Sequence, residues 1–326
     1  MRFIANESEK AAILGAMRAV ALVHGAGAVT DADRAAIAAA ARIVLDTPLD
    51  DPDGPSALTP QALVAALGRG EAAREAIRLA AVMALVDGRL DALKVDLVAA
   101  YAAALGIEEG YVVDLAQAAH GHLQWAMGHM IRENMESITN APWRAGVTDD
   151  VAAWLLPYRG EAADPALAAR FRALAELPPK SFGHAFFRHF VDNGYAFPGE
   201  PDALNARFSL PHDGAHVLAG YDTTPGGEIL VSTFTAAMHP RHSMAAHVLP
   251  VILSWHLGIK FNEVAKSATG TLDPARFFEA WERGAAVGED IFADGWDFWA
   301  VAGEDLWALR RRYAIPPVAE PTPPAP

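Results

Sequence analysis

The spacing of apolar residues along the chain is that of α-helices, and few stretches alternate between apolar and polar residues as a strand does. On the first predicted helix, one face carries Leu14, Met17, Ala21 and Leu22. Apolar residues at three- and four-residue spacing mark a helix that buries one side. Alanine, the strongest helix former, is abundant between these positions. The pattern predicts an all-α fold.

A helix–turn–helix pattern occurs twice in the N-terminal half. The segments 13–45 and 76–107 each contain an apolar helix, a glycine-containing turn and a second helix, at an offset of about 61 residues. Thr30, followed by Asp33 three residues later, is a capping box for the second helix of the first copy. Two helix pairs related in this way predict a small helical bundle with an internal repeat.

The turn of the second copy is Asp87-Gly88-Arg89-Leu90-Asp91. This turn resembles the repeated turn of the tellurite-resistance TerB-like domains, and the resemblance covers residues 10–135. The first copy departs from it, with Ala26-Gly27 where Asp-Gly is expected. The family's acidic turns are associated with metal binding. Because one aspartate is missing, we interpret this turn as a helix turn capped by Gly and Asp, not as a metal site.

A helix is predicted over residues 119–138, and it carries three histidines, a tryptophan and three methionines. His122 and His129 are seven residues apart and lie on one face. We assign no carboxylate at ligand spacing to that face. The pattern therefore favours a packed or half-exposed helix over a metal site.

The C-terminal half contains two histidines followed by a glutamate. Pro211 suits the first position of a helix, because its missing N–H has no partner there. His212 and His216 then lie four residues apart on one face. Thr224 is a predicted N-cap of the next helix, which places Glu228 in its first turn. Two antiparallel helices joined by a short loop would bring Glu228 back to the histidines.

Two imidazoles with one or two carboxylates suit Zn²⁺ or Fe²⁺ and leave coordination positions open for water or substrate. Asp213 directly follows His212 and supplies the second carboxylate. Open positions indicate catalysis more than structural support. The cluster of His212, Asp213, His216 and Glu228 is therefore the main candidate metal site.

The same residues resemble the hallmark of the ubiquinone-biosynthesis family formed by the fourth subunit of the coenzyme Q synthesis complex. That hallmark is H-D-x-x-H, eleven further residues and then Glu, and it matches the four residues above. The intervening "GYDTTPGGE" is similar to the family's glycine-rich turn, "SFGHAFFRHFVDNGY" (181–195) to an upstream stretch, and residues 280–317 to its closing helices. The resemblance spans about 150–317.

The resemblance implies an all-α fold with a hydrophobic cavity for an isoprenoid chain. It implies a divalent metal ion at the four-residue motif as well, with Zn²⁺ preferred over Fe²⁺. It also implies oxidative removal of the carboxyl group from a polyprenylated benzoate ring, a homodimer, and other quinone-biosynthesis proteins as partners. On this basis His212, His216 and Glu228 are ligands, and Asp213 is a fourth ligand or a hydrogen-bond partner of a coordinating histidine.

This chain departs from the family just before the motif. The family has an Arg-Tyr-Arg-Glu-like run there, whereas this sequence keeps Arg207 and Phe208 and has Ser209 and Leu210 at the two charged positions. Arg207 is the candidate for substrate binding. If the missing charges hold an acidic head group in the family, the substrate of this chain differs.

Two alternatives remain open. The first is a non-catalytic scaffold or lipid-binding organiser of quinone-biosynthesis enzymes at the membrane, in which the metal is structural. The second is an HD-type metal-dependent phosphohydrolase, which needs a further histidine and aspartate converging on His212 and Asp213. His184 and His189 are the upstream candidates, but the spacing to Glu228 is then unexplained.

A further group of histidines follows the motif, with no carboxylate among its members. Because they lie in an apolar stretch, we expect core or surface positions and not a second metal site. They are His239, His242, His247 and His256.

Charge and composition narrow the function. The net charge is −14, without a basic half, so nucleic-acid binding is not expected. The absence of cysteine excludes disulfides, thiol nucleophiles and thiolate zinc sites. The N-terminus has no apolar signal segment, and no apolar run reaches membrane-spanning length. These features predict a cytoplasmic protein, peripheral at the inner face of the cytoplasmic membrane when it meets a lipid substrate.

The predicted layout has two helical domains. They are a TerB-like domain over 1–140, a linker and first segment of the second domain over 141–160, a coenzyme Q biosynthesis-like domain with a lipid cavity over 161–315, and a Pro-rich disordered tail over 316–326.

Overall fold

The computed structural model describes residues 5–23, 29–142, 151–261 and 266–318. Within these ranges the chain forms sixteen α-helices and no strand, which confirms the all-α prediction. The helices are α1 (Glu7–Leu22), α2 (Asp31–Ala39), α3 (Pro60–Leu67), α4 (Glu71–Met83), α5 (Ala92–Leu105), α6 (Gly110–Ala119), α7 (Leu123–Thr139), α8 (Val151–Leu155), α9 (Pro165–Arg172), α10 (Phe182–Asn193), α11 (Ala206–Ala219), α12 (Pro225–Met238), α13 (Leu249–Trp255), α14 (Pro274–Ala285), α15 (Phe298–Val301) and α16 (Leu306–Arg312). Two π-helical segments, Ala40–Val44 and Ser243–Val248, continue α2 and precede α13.

The helix boundaries in the N-terminal half repeat at the predicted offset. Helix α1 ends at Leu22 and α4 ends at Met83, while α2 is capped by Thr30 and α5 by Asp91, both 61 residues later. The predicted capping box of Thr30 is present, because its hydroxyl accepts from the N–H of Asp33. The Ala26-Gly27 turn lies outside the described residues.

A buried ion cluster joins the two copies of the repeat. The Lys94 ammonium lies 3.1 Å from Asp33 Oδ1 and 2.9 Å from Asp87 Oδ2, and Lys94 and Asp33 are fully buried. The other Asp33 oxygen accepts from the backbone N–H and the hydroxyl of Thr30. Lysine therefore supplies the positive charge between the acidic turns, and each of these charges has a close partner.

Helix α12 separates two buried hydrophobic clusters. Ile229 and Ala236 face a large cluster built from α1–α6 together with the segment 243–253 and α14. Val231 and Phe234 face a second cluster built from α9–α11, α15 and α16. A helix buried on both sides holds its ends in place, and Glu228 lies at the N-terminal end of this one.

Helices α12 and α14 approach unusually closely. A Cβ atom added to Gly284 of α14 would lie 2.1 Å from the carbonyl oxygen of Phe234, a distance that no side chain tolerates. Glycine at this position lets the two backbones touch and fixes α12 against α14.

The two-domain division at residue 140 stays a prediction. Residues 143–150 of the proposed linker and residues 319–326 of the proposed tail lie outside the described residues. Among the helices described, none is both long and apolar enough to cross a membrane.

Candidate metal centre

Helix α11 carries both histidines of the motif and begins earlier than predicted. The Asn205 side chain caps it by accepting from the N–H of Arg207, and the helix ends at Gly220, whose φ is 77°. Pro211 therefore lies inside the helix and not at its first position, so the predicted start is wrong. The cap at Asn205 determines the start, and Pro211 sits one turn later at the cost of one backbone hydrogen bond.

Helix α12 begins where it was predicted. The Thr224 hydroxyl accepts from the N–H of Gly227, and Pro225 occupies the first turn. Asp222 stabilises the loop before α12, since its Oδ1 accepts hydrogen bonds from the N–H and the hydroxyl of Thr224 at 3.1 and 2.5 Å. A Cβ atom on Gly227 would lie 2.1 Å from the carbonyl oxygen of Asp222. This compact turn sends Glu228 back against α11.

The structure brings three of the four predicted ligands together. His212 Nε2 lies 3.6 Å from Glu228 Oε2, and His216 Nε2 lies 3.5 Å from Glu228 Oε1. One ligand atom of each residue lies within 4.8 Å of those of the other two. The two imidazole rings are 5.0 Å apart and nearly perpendicular, at 83°. Nitrogen and oxygen atoms thus converge from two helices on one small volume.

The tautomer of His216 suits a metal ligand. Its Nδ1 lies 3.1 Å from the carbonyl oxygen of Tyr221, so Nδ1 carries the proton and donates it. The lone pair then resides on Nε2, a buried atom with no hydrogen-bond partner that faces Glu228. Coordinating histidines are oriented in this way, with one nitrogen bonded to a backbone carbonyl and the other on the metal. The donor set of two imidazoles and a carboxylate therefore fits Zn²⁺ or Fe²⁺.

Opposite effects act on the charges of this site. Burial raises the pKa of the Glu228 carboxyl, but the influence of the adjacent His212 and His216 outweighs burial and holds this pKa well below its usual range. Burial lowers the pKa of His212, but the hydrogen bond and charge of Glu228 outweigh this and raise it. The site favours an ionised glutamate that needs positive charge beside it.

Asp213 does not join the three converging residues. Its Oδ1 lies 3.2 Å from His189 Nε2 on α10, and the His189 ring stacks against His216 at 5.4 Å. Asp213 therefore holds a third histidine next to the cluster. The other upstream candidate, His184, contacts the carbonyl oxygen of Ala175 through Nδ1 instead.

Arg207 lies at the surface and outside the wall of the cavity described below. Its Nη2 donates to the carbonyl oxygen of Thr139 at 2.5 Å and lies 3.7 Å from Asp294 Oδ1. The sequence-based role of Arg207 in substrate binding stays a prediction.

A cavity of about 540 Å³ opens beside the cluster, and His212, Asp213 and Glu228 form part of its wall. The rest of the wall is mainly apolar. Two hydroxyls, Ser209 Oγ and Thr235 Oγ1, belong to wall residues and are buried without a hydrogen-bond partner. Ligand sites typically combine an apolar wall with a few polar groups that fix orientation. The apolar residues of the wall include Met130, Ile131, Ile138, Leu155, Phe190, Phe208, Val251, Trp255, Phe261 and Phe292.

The four later histidines occupy the core and the surface, as their apolar surroundings predicted. His239, His247 and His256 are buried, and each has a partner: Asp290 Oδ2 at 2.8 Å, the Ser137 hydroxyl at 2.7 Å and the Val86 carbonyl at 3.0 Å. Burial lowers the pKa of His247 to about 3, with His239, His212 and His242 adding to the effect.

Sequence reasoning missed a second group of ligand-type residues. Asp114 of α6 and His129 and Glu133 of α7 bring one ligand atom each within 4.8 Å of one another. His129 and Glu133 are four residues apart, a spacing that places them on one helical face. That spacing was visible in the sequence, but the contribution of Asp114 depends on how α6 and α7 pack.

Comparison with known proteins adds a likeness to a solved structure. No protein-family model matches the chain, and no curated protein matches it. The chain is similar to the crystal structure of a Nostoc punctiforme protein whose name assigns it provisionally to ubiquinone biosynthesis. The sequences are 20% identical, the match covers 63% of this chain and 94% of that one, and the TM-score is 0.34.

Proposed function

We propose that this protein holds a divalent metal ion at His212, His216 and Glu228 and acts there on a polyprenylated benzoate or a related quinone precursor. The observation that carries the proposal is the convergence of these three residues beside a largely apolar cavity, whose wall includes His212 and Glu228, with His216 Nε2 buried and unpaired. The likeness of the motif to the ubiquinone-biosynthesis family gives the substrate class.

Different parts of the cavity wall bind different parts of the proposed substrate. Its apolar part accepts an isoprenoid chain, because burying such a chain removes apolar surface from water. The unpaired hydroxyls of Ser209 and Thr235 offer hydrogen bonds to oxygen substituents on the ring. The ring carboxylate then lies towards the cluster of His212, His216 and Glu228, where a bound metal ion would supply positive charge.

The reaction that we propose removes the ring carboxyl group. The carbon–carbon bond breaks, carbon dioxide leaves, and the ring carbon takes up a proton. In the oxidative form, the ring carbon instead receives a hydroxyl group whose oxygen comes from dioxygen, and the second oxygen atom leaves as water with two electrons and two protons from an external two-electron reductant such as a reduced nicotinamide or flavin. A bound Zn²⁺ or Fe²⁺ supplies Lewis acidity that stabilises charge on the ring and on the carboxylate. Asp213 and His189 keep His216 in place, since His189 stacks on it.

The location and assembly of the protein follow from the same proposal. A polyprenylated substrate resides in a membrane, so we place the protein at the inner face of the cytoplasmic membrane, bound to its surface. The family resemblance adds a homodimer and contacts with other quinone-biosynthesis proteins.

A phosphohydrolase is the second candidate, because His189 contacts Asp213 and supplies the further histidine that this class needs, although this contact brings no further aspartate. Hydrolysis of a phosphate ester would use His189, His212 and Asp213 as ligands. Glu228, at 3.5 Å from His216, takes no part in that arrangement. The two candidates therefore differ in which carboxylate is essential.

An activity assay on Glu228→Gln and Asp213→Asn separates these candidates. Detergent-solubilised prenylated hydroxybenzoate, labelled in the carboxyl carbon, is supplied to the metal-loaded protein, and released carbon dioxide is counted. We expect release by wild type and by Glu304→Gln, an exposed control, and at least about a hundredfold less by Glu228→Gln.

Three other outcomes decide against the proposal. Release that is unchanged in Glu228→Gln removes the metal role of that residue. No release by any protein, together with retained binding of the prenylated compound, favours the scaffold. Cleavage of a phosphate ester that is lost in Asp213→Asn and kept in Glu228→Gln favours the phosphohydrolase.

A further inference from the structure

Helices α6 and α7 bring together a set of ligand-type side chains far from His212 and Glu228 in the sequence. Asp114 of α6 is fully buried, and its Oδ1 and Oδ2 lie 2.9 and 3.0 Å from His129 Nδ1. Glu133, one turn after His129 on α7, places Oε1 4.0 Å from His129 Nε2. One ligand atom of each of these three residues lies within 4.8 Å of those of the other two.

One atom of this group is buried without a partner. Asp114 Oδ2 accepts the hydrogen bond of His129, whereas Oδ1 lies 2.9 Å from the same nitrogen without accepting a hydrogen bond. A buried carboxylate oxygen without a partner is costly, since its solvation is lost. Burial also raises the pKa of Asp114 and of Glu133, against the opposing effect of the nearby histidines. A cation between the two carboxylates would offset this cost.

Gly110 packs closely against this group, and two of its side chains reach solvent. A Cβ atom on Gly110, the first residue of α6, would lie 3.3 Å from Glu133 Oε1 and 3.6 Å from His129 Cε1. The Trp125 ring stacks on His129, with centroids 5.6 Å apart and planes within 1°. His129 and Glu133 are partly exposed, at 30% and 17%. An ion can therefore enter from solvent and reach the buried oxygen.

A residue from the other half of the chain contacts the group. His242, which precedes the π-helical segment Ser243–Val248, places Nδ1 3.6 Å from Glu133 Oε1 and Nε2 3.2 Å from Glu136 Oε2. Glu133 Oε1 is thus near two histidines, His129 of its own helix and His242.

We infer that Asp114, His129 and Glu133 form a second binding site for a divalent transition-metal ion, independent of the site at His212, His216 and Glu228. One imidazole and two carboxylates suit Zn²⁺, Mn²⁺ or Fe²⁺. Such an ion clamps α6 to α7. Because Met130, Ile131 and Ile138 of α7 line the cavity, the clamp also steadies one side of the cavity wall.

Zinc content tests this inference. Wild type, Glu133→Gln, Glu228→Gln and the double variant are stripped with a chelator, repleted with Zn²⁺ and desalted, and zinc per chain is measured beside circular dichroism. We expect Glu133→Gln to hold one equivalent less than wild type and the double variant one less than Glu228→Gln. The zinc lost on Glu133→Gln and the zinc lost on Glu228→Gln are measured separately, so failure of the proposed function does not affect this result.

The control is Glu108→Gln, an exposed glutamate just before α6, which keeps the zinc content of wild type. His129→Gln provides a second variant that also loses one equivalent, so the test does not depend on one substitution. Zinc content equal to wild type in both folded variants overturns the inference.

Trp125 offers a readout on the otherwise unmodified site. Because its ring stacks on His129, Co²⁺ bound there quenches its fluorescence. We expect a saturable quench in wild type, and the part due to this site disappears in Trp125→Phe, which keeps the ligands. A quench of the same size in Trp125→Phe and wild type contradicts an ion at His129.

Discussion

Two polar clusters of this protein differ in how their charged and polar groups are paired. One consists of Lys94, Asp33 and Asp87. The other consists of the proposed metal ligands His212, His216 and Glu228. In the first, a lysine lies 3.1 and 2.9 Å from two carboxylates. In the second, the shortest contacts between histidine and glutamate are 3.5 and 3.6 Å, and one imidazole nitrogen has no hydrogen bond.

The difference separates a structural cluster from a candidate site. The lysine cluster is closed, since it carries its own cation and Lys94 and Asp33 have no exposure to solvent. The histidine cluster borders a cavity and keeps a donor atom unpaired. Polar groups that fold together for stability alone are paired, whereas an unpaired group beside a cavity indicates a missing ligand.

The largest effect is expected at the lysine. Lys94→Met leaves Asp33 and Asp87 buried without a countercharge, so the free energy of unfolding should fall by about 3–5 kcal/mol. Urea unfolding followed by circular dichroism measures it. The control is Lys10→Met, whose ion pair with the exposed Glu7 is screened by water, so little change is expected there. A change at Lys94 as small as at Lys10 would contradict a closed cluster.

Acid pH tests how dry the cavity wall is. His247 lies in that wall, and its pKa in the folded state is about 3, against 6.5 for the free side chain. The unfolded chain therefore binds a proton first, so this residue adds no stability above pH 6.5 and destabilises the fold as the pH falls towards 3. At pH 5 the loss should be about 2 kcal/mol relative to pH 7.

The matched variant is His247→Gln, which keeps a hydrogen-bonding group for the Ser137 hydroxyl. Between pH 7 and pH 5, the free energy of unfolding of this variant should fall by about 2 kcal/mol less than that of wild type. Equal losses in both proteins would mean that water reaches His247 and that the wall is wet.

Filling the cavity should weaken substrate binding and leave the metal in place. Val251 belongs to the wall, so Val251→Trp should reduce affinity for a prenylated ligand by about tenfold, or about 1.4 kcal/mol. The control Val191→Trp changes a residue of α10 that is 45% exposed and should have no effect. Affinity that does not change with Val251→Trp would place the prenyl chain elsewhere.

The smallest effect is expected at Arg207. Its ion pair with Asp294 is exposed, so Arg207→Ala should lower the free energy of unfolding by about 1 kcal/mol or less. Substrate affinity measured on the same variant decides whether Arg207 also holds the head group. A tenfold loss of affinity would establish that role, and unchanged affinity would remove Arg207 from the site.

The helix ends show what the sequence determined. Thr30 and Thr224 cap the helices that their side chains predicted, because capping depends on residues within one turn. Pro211 misled, since it is tolerated inside α11 once Asn205 has capped the helix one turn earlier. Local signals therefore gave the helices, and a competing local signal gave the wrong start of α11. The helix predicted over 119–138 also begins later, at Leu123, because α6 ends at Ala119 and a turn follows it.

Contacts between helices were harder to predict. His212, His216 and Glu228 come from neighbouring helices joined by a short turn, so their meeting followed from spacing alone. The contacts of Asp213 with His189 and of Asp114 with His129 join residues 24 and 15 positions apart. They depend on the rotation and packing of whole helices, which the pattern of one helix does not determine.

Metal content tests the central claim most directly. Elemental analysis of wild type, Glu228→Gln and His216→Ala after repletion with Zn²⁺ or Fe²⁺, with circular dichroism on each, compares the site with and without its ligands. The account predicts that each folded variant holds one equivalent of metal less than wild type. Equal metal content in wild type and in both folded variants would contradict a metal ion at His212, His216 and Glu228.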